Sequence, residues 1–371
     1  MHYNRILLFC IVFLLFTSCK EKKPPVQTDY SLKLPHPSQT LTLLFCGDII
    51  QHLPQIYSAH EPSEKDYKYQ KCFKYIAPYW ADADFVIANL ETTLGNKDFS
   101  GYPRFCSPWQ IARDLHQLGV TTFVTANHSC DQLGKGITNT IYYLDSLGIP
   151  HTGTFTDTLN YKKRHPLYLQ KDSFKIALLN YTYGTNGLPV PKGFVVPHID
   201  TTAIKQDIQL AHRDTATNII AFMHWGYEYH NFPNKEQRAL SKWLHEQGAD
   251  MVIGSHPHVV QPIEYYTSNK DTLGVTVFSL GNFISNQSQQ GTEGGICIRV
   301  TLTKPRNNPV RYQMEPIKFY MYRPYEEGRR RYYVVPENLA DSIMKDFHLT
   351  KSKNFFKKTD TILKSTKTFS F

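Results

Sequence analysis

The sequence predicts an α/β fold, and three observations support this prediction. The chain has 371 residues, of which 41% are hydrophobic and 13% aromatic, which is enough apolar material for a packed core. From residue 41 onward, short apolar runs alternate with patterns of helical period, as expected when helices pack against sheets. Polar, chemically capable residues recur directly after the apolar runs. The length suits one large domain, or one domain with appendages.

The predicted strands are short apolar runs that end at a glycine or a polar residue. They are Leu41–Cys46, Phe85–Ala88, Val120–Val124, Ile176–Leu179, Ile219–Met223, Met251–Ile253 and Val275–Leu280, followed by runs at 296–303 and 312–320 without intervening helices. The predicted helices have apolar residues on one face, and several stop at a glycine. They are Trp109–Leu118, Ile137–Leu147, Ile199–His212 and Lys235–Gln247.

Short polar segments follow five of these strands. They are Gly47-Asp48, Asn89-Leu90-Glu91, Ala126-Asn127-His128, His224-Trp225-Gly226 and Gly254-Ser255-His256-Pro257-His258. In open α/β sheets, ligands bind beyond the carboxyl ends of the strands. We therefore expect these segments, although distant in sequence, to meet in one cleft.

The residue types in these segments predict a site for divalent metals. Carboxylates, an amide oxygen and imidazoles suit zinc, manganese or iron. A carboxylate can bridge two cations, and such a pair can clamp a phosphoryl group during an in-line displacement. The imidazoles of His256 and His258 could serve different metals, because Pro257 restricts the turn and Gly254 permits a close approach. A nearby histidine could protonate the leaving oxygen.

Each residue taken alone also has an ordinary structural interpretation. Asp48 could cap a helix or a turn, and Asn127 could form a turn. Glu91 could be a surface acid, and His224 a hydrogen-bonded core histidine. The joint pattern favours a site, because every segment follows a strand and every residue fits one chemistry.

The motif order GD, NLE, TANH, HWGYEY, GSHPHV and SLGNF spans roughly residues 41–300 and resembles the CapA family, named for poly-γ-glutamate capsule synthesis. The resemblance implies a calcineurin-like metallophosphoesterase fold, a two-sheet β-sandwich flanked by helices in four layers (α/β/β/α). It also implies one or two divalent metal ions (Mn, Zn or Fe). The implied ligands are Asp48 and His258 for one metal, Glu91 as the bridge, and Asn127, His224 and His256 for the other. His128 would be the catalytic acid, and Glu228 and Asn282 would bind substrate.

The chain departs from the general phosphoesterase pattern at two positions. Those enzymes usually carry a histidine two residues after the first aspartate, where this chain has Ile50. Glu91 stands where an aspartate is usual. The departures predict either a weaker first metal site or a single bound metal. His52 is close enough in sequence to substitute as a ligand, and its alternative is an exposed loop histidine.

The N-terminus predicts export and a lipid anchor. Arg5 precedes the apolar run Ile6–Phe16, which is too short for a membrane span of about 20 residues. Small residues precede Cys19, an arrangement similar to a bacterial lipobox, so we expect cleavage before Cys19 and lipid on its thiol. The alternative is an ordinary signal peptide or an uncleaved anchor. The expected organisation is a signal peptide at 1–19, a Pro- and Lys-rich tether at 20–40, a CapA-like domain at 41–325 and a C-terminal extension at 326–371.

The charge pattern limits the classes of binding partner, and the cysteine content leaves the disulfide pairing open. The net charge of +9 arises largely from lysines near both ends, which indicates solvated tails or an anionic partner such as a membrane surface or an acidic polymer. Because no basic helix or zinc finger is evident, we expect no nucleic-acid partner. Once Cys10 is removed and Cys19 lipidated, five cysteines remain without CxxC spacing, and their pairing stays open: Cys46, Cys72, Cys106, Cys130 and Cys297.

Three functions follow as hypotheses. The first is a metal-dependent hydrolase at the bacterial cell envelope, acting on a phosphoester or on an amide in an anionic polymer. The second is a non-catalytic accessory protein that binds or anchors poly-γ-glutamate or another anionic capsule polymer. The third is a structural envelope lipoprotein, which would require the side chains of the five segments to point apart.

Overall fold

The computed structural model describes residues 39–129, 135–268, 271–304 and 311–370. The signal peptide, Cys19, almost all of the tether and Cys130 lie outside the described residues. The described residues belong to one compact unit. Among them, no helix combines the length and the apolar character needed to cross a membrane.

Strands and helices alternate through most of the chain. The strands are β1 (Gln39–Ile49), β2 (His60–Glu61), β3 (Asp66–Tyr67), β4 (Phe85–Leu90), β5 (Thr93–Gly95), β6 (Cys106–Pro108), β7 (Thr122–Val124), β8 (His151–Thr152), β9 (Leu167–Lys171), β10 (Phe174–Thr182), β11 (Asn218–His224), β12 (Met251–Ser255), β13 (Ile263–Ser268), β14 (Asp271–Val277), β15 (Asn282–Ile284), β16 (Gly294–Lys304), β17 (Arg311–Tyr322), β18 (Tyr325–Glu326), β19 (Arg329–Arg330), β20 (Tyr333–Pro336) and β21 (Lys367–Ser370). The α-helices are α1 (Leu53–Ala59), α2 (Gln70–Phe73), α3 (Gln110–Leu118), α4 (Lys135–Ser146), α5 (Thr158–Arg164), α6 (Thr201–Arg213), α7 (Lys235–Gln247), α8 (Ala340–Ile343) and α9 (Asp346–Lys364), and short 3₁₀ helices cover Ala77–Trp80 and Glu337–Leu339.

The larger strands form two sheets. The first has the order β20-β17-β16-β1-β4-β7-β8, with β15 added beside β1. The second has the order β21-β13-β14-β12-β11-β10-β9. Strands β1, β4, β7 and β8 run parallel, as do β10, β11, β12 and β14. The carboxyl ends of the parallel strands therefore share one edge in each sheet, which is where α/β proteins bind ligands.

The two sheets pack face to face, and helices cover their outer faces. Phe45 of the first sheet and Phe222 of the second belong to one buried core cluster. Leu115 of α3 packs on the outer face of the first sheet. Ile208 of α6 and Leu244 of α7 pack on the outer face of the second. This arrangement confirms the α/β fold that the sequence predicts and the α/β/β/α sandwich that the resemblance to the CapA family implies.

Local sequence signals explain where individual elements begin and end. Helix α7 has the predicted bounds: Asn234 accepts a hydrogen bond from the Gln237 N–H at its start, and Gly248 ends it with φ 109°. Strand β14 stops at Val277, three residues before the predicted end. The chain turns out of the strand there, because the Leu280 N–H bonds to the Gly254 carbonyl at the end of β12.

The C-terminal residues differ from the solvated tail that the charge pattern predicts. Phe355, Phe356 and Ile362 of α9 are buried in the core cluster that joins the two sheets. Strand β21 adds to the edge of the second sheet beside β13. Although this segment is rich in lysine, one face of its helix is apolar and buried. The expectation of a solvated tail is therefore wrong for 346–370.

The described cysteines that the sequence left unassigned are buried free thiols, namely Cys46, Cys72, Cys106 and Cys297. The sulfur of Cys46 lies 3.3 Å from that of Cys297, across the pair of strands β1 and β16. Burial and the neighbouring Cys297 raise the pKa of the Cys46 thiol well above its usual value.

Candidate metal centre

The predicted polar side chains converge where strands of both sheets end. Asp48 lies near the end of β1, Glu91 follows β4, and His224 ends β11. All three side chains are almost fully buried. Because they meet around one point, the hypothesis that the side chains of these segments point apart is wrong.

Asp48 is held on both sides by groups from neighbouring strands. Its Oδ1 accepts a hydrogen bond from the Asn89 side-chain amide at 2.8 Å. Its Oδ2 lies 3.1 Å from His258 Nδ1 and 3.3 Å from the His256 backbone N–H, which donates to it. The register explains the first contact, since β1 and β4 place Asp48 opposite Asn89. These bonds orient the carboxylate toward the centre.

Glu91 occupies the middle of the cluster and lacks a close cationic partner. Its Oε1 lies 3.6 Å from His128 Nε2, 3.7 Å from His258 Nε2 and 4.0 Å from His224 Nε2. These separations exceed hydrogen-bond length. Burial, reinforced by the nearby Asp48, raises the pKa of Glu91 well above its usual value. A buried carboxylate in such surroundings is stabilised by a bound cation.

The imidazoles of His128 and His224 lie against each other. His128 Nδ1 and His224 Nε2 are 2.8 Å apart, and His224 Nδ1 lies 3.1 Å from the Ser255 hydroxyl. Burial, with help from the nearby His258, lowers the pKa of His128 to about 3. Burial and the neighbouring imidazoles also lower the pKa of His224 well below its usual value. Both rings are therefore uncharged near neutral pH, the form that binds metals.

The turn after β12 presents the other two imidazoles. His256 and His258 have positive φ values of 94° and 59°, which residues other than glycine rarely adopt. At Gly254, a Cβ atom would lie 1.9 Å from the Phe278 carbonyl oxygen, so only glycine fits. His256 Nδ1 is buried without a hydrogen-bond partner among the described residues. A buried ring nitrogen without a hydrogen-bond partner is available to bind a metal ion.

The donor atoms form overlapping groups within 4.8 Å of one another. In the described part of the chain these groups are Glu91, His128, His224 and His256; Glu228, His256 and His258; and Asp48, Glu91 and His258. Imidazole nitrogens and carboxylate oxygens match the preferences of Zn, Mn and Fe. The residues therefore fit one or two divalent cations, and Glu91 belongs to two of the groups, as a bridging ligand would.

Ile50 and His52 stand where the phosphoesterase pattern is broken. Ile50 is buried and lines the cleft in place of the missing histidine. His52 Nδ1 lies 3.2 Å from Gln55 Oε1 at the start of α1, and it accepts the Asn286 N–H at 3.2 Å. His52 is absent from the donor groups of the described residues. Its ring nitrogen is thus used to hold the loop, not to replace the missing ligand.

The remaining predicted residues surround this cluster. The Asn127 side-chain amide donates to the Leu90 carbonyl at 2.8 Å, and its Oδ1 accepts the Ser129 N–H at 3.0 Å. Glu228 is partly exposed, and its Oε1 lies 3.8 Å from His258 Nε2. Asn127 as a metal ligand and Glu228 as a substrate contact stay predictions.

Asn282 lies beneath the cleft. It sits opposite Asp48 in the register of β1 and β15, and its side chain is fully buried. It donates to Gln287 Oε1 at 2.8 Å and to the Thr292 carbonyl at 2.9 Å. Its observed contacts position Gln287, which lines the cleft, and direct contact of Asn282 with substrate stays a prediction.

Three residues near the centre were assigned no role from the sequence. Asn89 joins Asp48 to the centre, and Ser255 holds His224. The Tyr183 ring lies 4.6 Å from the His256 ring and is 45% exposed. Tyr183 directly follows β10, so its position after a strand was the signal that would have found it.

A cleft of about 760 Å³ opens beside the donor groups. Glu91, His128, Glu228 and His258 form its inner wall. Its outer wall is built from a loop at 102–105 and a second loop at 286–289. The buried centre therefore has access to a space of the size that small organic ligands occupy.

Comparison with known proteins gives a family match and similar relatives. Residues 42–287 match the family model described as bacterial capsule synthesis protein PGA_cap. The PGA biosynthesis protein CapA of Bacillus subtilis (strain 168) is 26% identical over 336 residues, which cover 86% of this chain and 80% of that protein. The capsule biosynthesis protein CapA of Bacillus anthracis is 25% identical over 291 residues, covering 71% and 64% of the two chains.

Solved structures also include similar chains. A 5′-nucleotidase from Candida albicans SC5314 aligns with a TM-score of 0.42 and 12% sequence identity. The alignment covers 89% of this chain and 60% of the nucleotidase.

Proposed function

The chain belongs to the family of bacterial capsule synthesis proteins PGA_cap, and from this premise we propose that it is a metal-dependent hydrolase of the cell envelope that cleaves a phosphoester. The observation that carries the proposal is the pair of donor groups that share Glu91 at the base of an open cleft. His256 Nδ1 supports the proposal, because it is buried beside these groups without a hydrogen-bond partner among the described residues.

Each side chain of the centre has a proposed task. Asp48 and His258 would hold one cation, Asn127, His224 and His256 would hold the second, and Glu91 would contribute to both. When bound, a divalent cation supplies Lewis acidity toward a phosphoryl oxygen. Asn89 and Ser255 orient Asp48 and His224 by hydrogen bonds. Such supporting bonds fix ligand geometry and typically matter 10- to 100-fold for affinity or activity.

His128 is the proposed proton donor to the leaving oxygen. It lines the cleft, and its ring is close to both Glu91 and His224. In the structure its Nδ1 lies 2.8 Å from His224 Nε2, and His224 would exchange this contact for the cation when the cation binds. To act as the acid, His128 would have to take up a proton in the substrate complex, where the negative phosphoester favours the charged ring, and one of its nitrogens would have to lie within about 2.6–3.2 Å of the leaving oxygen.

The cell-envelope location is part of the proposal. The relatives are named for capsule or PGA biosynthesis, which favours a role at the cell envelope. The proposed lipid on Cys19 would tether the domain to a membrane through residues 20–40. Replacement of Cys19 by alanine should release the protein from the membrane fraction, and unchanged membrane association would contradict the anchor.

An accessory role in polymer binding is the second candidate. The names of the relatives and the net charge of +9 favour it. In this role the chain would bind or anchor poly-γ-glutamate or another anionic polymer without cleaving it. Binding that persists in an Asp48→Ala, His256→Ala double variant at 150 mM salt would support this candidate.

The test of the hydrolase uses the protein loaded in turn with Mn, Zn or Fe. Hydrolysis of p-nitrophenyl phosphate and of bis(p-nitrophenyl) phosphate is measured before and after chelation. We expect activity with at least one metal, its loss on chelation, and its return on adding the metal back. His256→Ala should be inactive, whereas the exposed His230→Ala should behave as wild type. Folded, metal-loaded protein without activity on either ester would overturn the proposal.

A further inference from the structure

The outer part of the cleft has a chemistry of its own. Its walls combine aromatic rings with uncharged amide and hydroxyl groups, and they surround about 760 Å³ of space. Small-molecule sites usually have volumes of about 300–1,000 Å³. We propose that the organic part of the substrate is an uncharged, hydroxyl-rich ring, so that the phosphoester is that of a saccharide. This inference rests on the proposed hydrolase and names its substrate class.

Aromatic rings form one wall of the cleft. Tyr102 is 81% exposed, and its ring meets that of Phe105 edge to face at a centroid distance of 6.4 Å. Phe105 is buried and packs in turn on the His52 ring at 5.2 Å. Tyr229 also lines the cleft and is held by its backbone N–H, which donates to the Pro257 carbonyl at 2.8 Å. The exposed rings of Tyr102 and Tyr229 offer apolar faces that suit a flat, partly apolar partner.

Amide groups form the facing wall, on the loop 286–289. The Asn286 Oδ1 accepts the Tyr332 hydroxyl at 2.9 Å, and its backbone N–H donates to His52. Gln287 accepts from the buried Asn282 at 2.8 Å, and its carbonyl accepts from Arg323 at 3.0 Å. These bonds fix the loop before any ligand arrives. Fixed amides beside Ser288 and Gln289 match the paired donors and acceptors of sugar hydroxyls.

Charge argues against a polyanion in the same space. Among the described residues that line the cleft, Arg104 is the only lysine or arginine, and it lies on the exposed loop. Glu91 and Glu228 also line the cleft. Poly-γ-glutamate carries a carboxylate on every residue, so a bound stretch would place the carboxylates that lie beyond the metal centre near Glu228, with Arg104 as the single lysine or arginine among the described lining residues. Such like-charge contacts oppose binding. An uncharged ring with a single phosphoryl group avoids them.

The first arm of the test compares esters of equal charge. The ratio of kcat/KM for glucose 1-phosphate over ethyl phosphate is measured for wild type, Tyr102→Ala and Tyr142→Ala. Tyr142 is 62% exposed on α4 and does not line the cleft, so it is the matched control. We expect wild type to prefer the sugar ester, Tyr102→Ala to lose roughly three- to ten-fold of that preference, and Tyr142→Ala to keep it.

The second arm reads binding without turnover. Saturation-transfer NMR detects contact between the metal-free protein and the ring protons of glucose 1-phosphate, with poly-γ-glutamate as competitor. Transfer should weaken in Tyr102→Ala, remain in Tyr142→Ala, and persist with the polymer present at 150 mM salt. Because this signal needs no metal, it is independent of the hydrolase proposal.

The outcomes separate the two proposals. Ring contact that depends on Tyr102 without hydrolysis of any ester would overturn the hydrolase and keep the binding class. Hydrolysis without a sugar preference, or a preference indifferent to Tyr102→Ala, would overturn the saccharide class alone. Displacement of the sugar by poly-γ-glutamate would overturn it as well.

Discussion

Two regions of this protein bury histidines beside a carboxylate, yet they are built differently. In the first, between β8 and α6, His165 Nε2 lies 3.3 Å from Asp207 Oδ2, and the hydroxyls of Tyr161 and Tyr181 donate to the same oxygen at 2.9 and 2.8 Å. His165 Nδ1 also lies within 3.3 Å of the Thr152 hydroxyl. Both ring nitrogens of His165 and the shared Oδ2 of Asp207 therefore have protein partners.

In the second region, the metal centre, the buried histidines and carboxylate have no such set of close partners from the protein. Glu91 faces three imidazoles at 3.6 to 4.0 Å, and His256 Nδ1 has no partner among the described residues. Burial pushes the pKa of both acids upward, but the hydrogen bonds from His165, Tyr181 and Tyr161 bring that of Asp207 below its usual value. The pKa of Glu91 stays well above its usual value.

The comparison teaches how to distinguish a structural cluster from a binding centre. Burial of histidine and carboxylate is common to both, so burial alone does not mark a site. The difference is whether the protein supplies the last partner. At Asp207 it does, and at Glu91 the missing partner has the charge and size of a cation.

The largest expected effect is a difference in activity between variants of Glu91 and Asp207. Glu91→Gln keeps the shape of the side chain but removes its charge, so we expect loss of bound metal and a fall in kcat/KM of more than about 100-fold, because even supporting residues matter 10- to 100-fold. Metal analysis and steady-state kinetics measure both. Asp207→Asn is the matched control and should keep its metal and its activity. Near-normal activity in Glu91→Gln would contradict a metal-binding role for Glu91 that Asp207 lacks.

A bound cation should stabilise the second region and leave the first unaffected. At a metal concentration about 100 times Kd, binding to the folded chain adds about 3 kcal/mol to the free energy of unfolding. Calorimetry with and without chelator should therefore show a clear drop in Tm for wild type and a smaller drop for His256→Ala, which loses a ligand of one of the two donor groups that share Glu91. Equal Tm values for loaded and chelated wild type would contradict a bound cation.

Breaking the satisfied cluster should cost stability without touching the metal. Asp207→Asn removes the charge that three donors share, and we expect a loss of about 2 kcal/mol in the free energy of unfolding, the scale of hydrogen bonds to charged groups. Denaturant unfolding measures this loss. A loss of metal content in this variant would show that the two regions are coupled, against the comparison.

The smallest expected effect is a pH dependence at His245, another satisfied histidine. Its Nδ1 lies 2.7 Å from the Ala249 carbonyl and its Nε2 2.8 Å from the Thr276 hydroxyl. Burial lowers the pKa of His245 to about 4, below the unfolded value of about 6.5. The unfolded chain thus binds the proton first, and the stability present above pH 6.5 is lost as the pH falls toward 4.

Between pH 7.5 and 5.5 this histidine should account for a loss of about 1 kcal/mol in the free energy of unfolding. His245→Gln keeps an uncharged polar side chain and should lose correspondingly less over the same interval. Denaturant titrations of both proteins at the two pH values, under chelation, give the difference. Identical pH slopes would mean that His245 does not titrate differently in the folded and unfolded chains.

The sequence was sufficient for the strand ends but not for what surrounds them. Asp48, Glu91 and His224 were predictable because each follows an apolar run, and parallel strands bring such positions to one edge. The resemblance to the CapA family supplied the two-sheet sandwich. The same pattern left His165 and Asp207 unnoticed, because their contacts come from tertiary packing between β8, α5 and α6.

Other features depend on contacts that no local pattern encodes. The lysines of α9 predicted a solvated tail, yet Phe355 and Phe356 pack into the core between the sheets. His52 was a possible ligand by spacing, but its nitrogen accepts the Asn286 N–H from a loop more than 200 residues away. The sequence assigned no role to Asn89. Its hydrogen bond to Asp48 forms only when β1 and β4 pair, and no local pattern encodes that pairing.

Anomalous scattering from crystals grown with manganese or zinc tests the central claim most directly, because it gives the identity and number of the metals together. We expect at least one strong peak within coordination distance of Glu91 and His256, and none beside Asp207. The broken ligand pattern at Ile50 predicts that any second peak, on the side of Asp48 and His258, is the weaker. Absence of any peak at Glu91, in crystals soaked well above millimolar metal, would contradict the account.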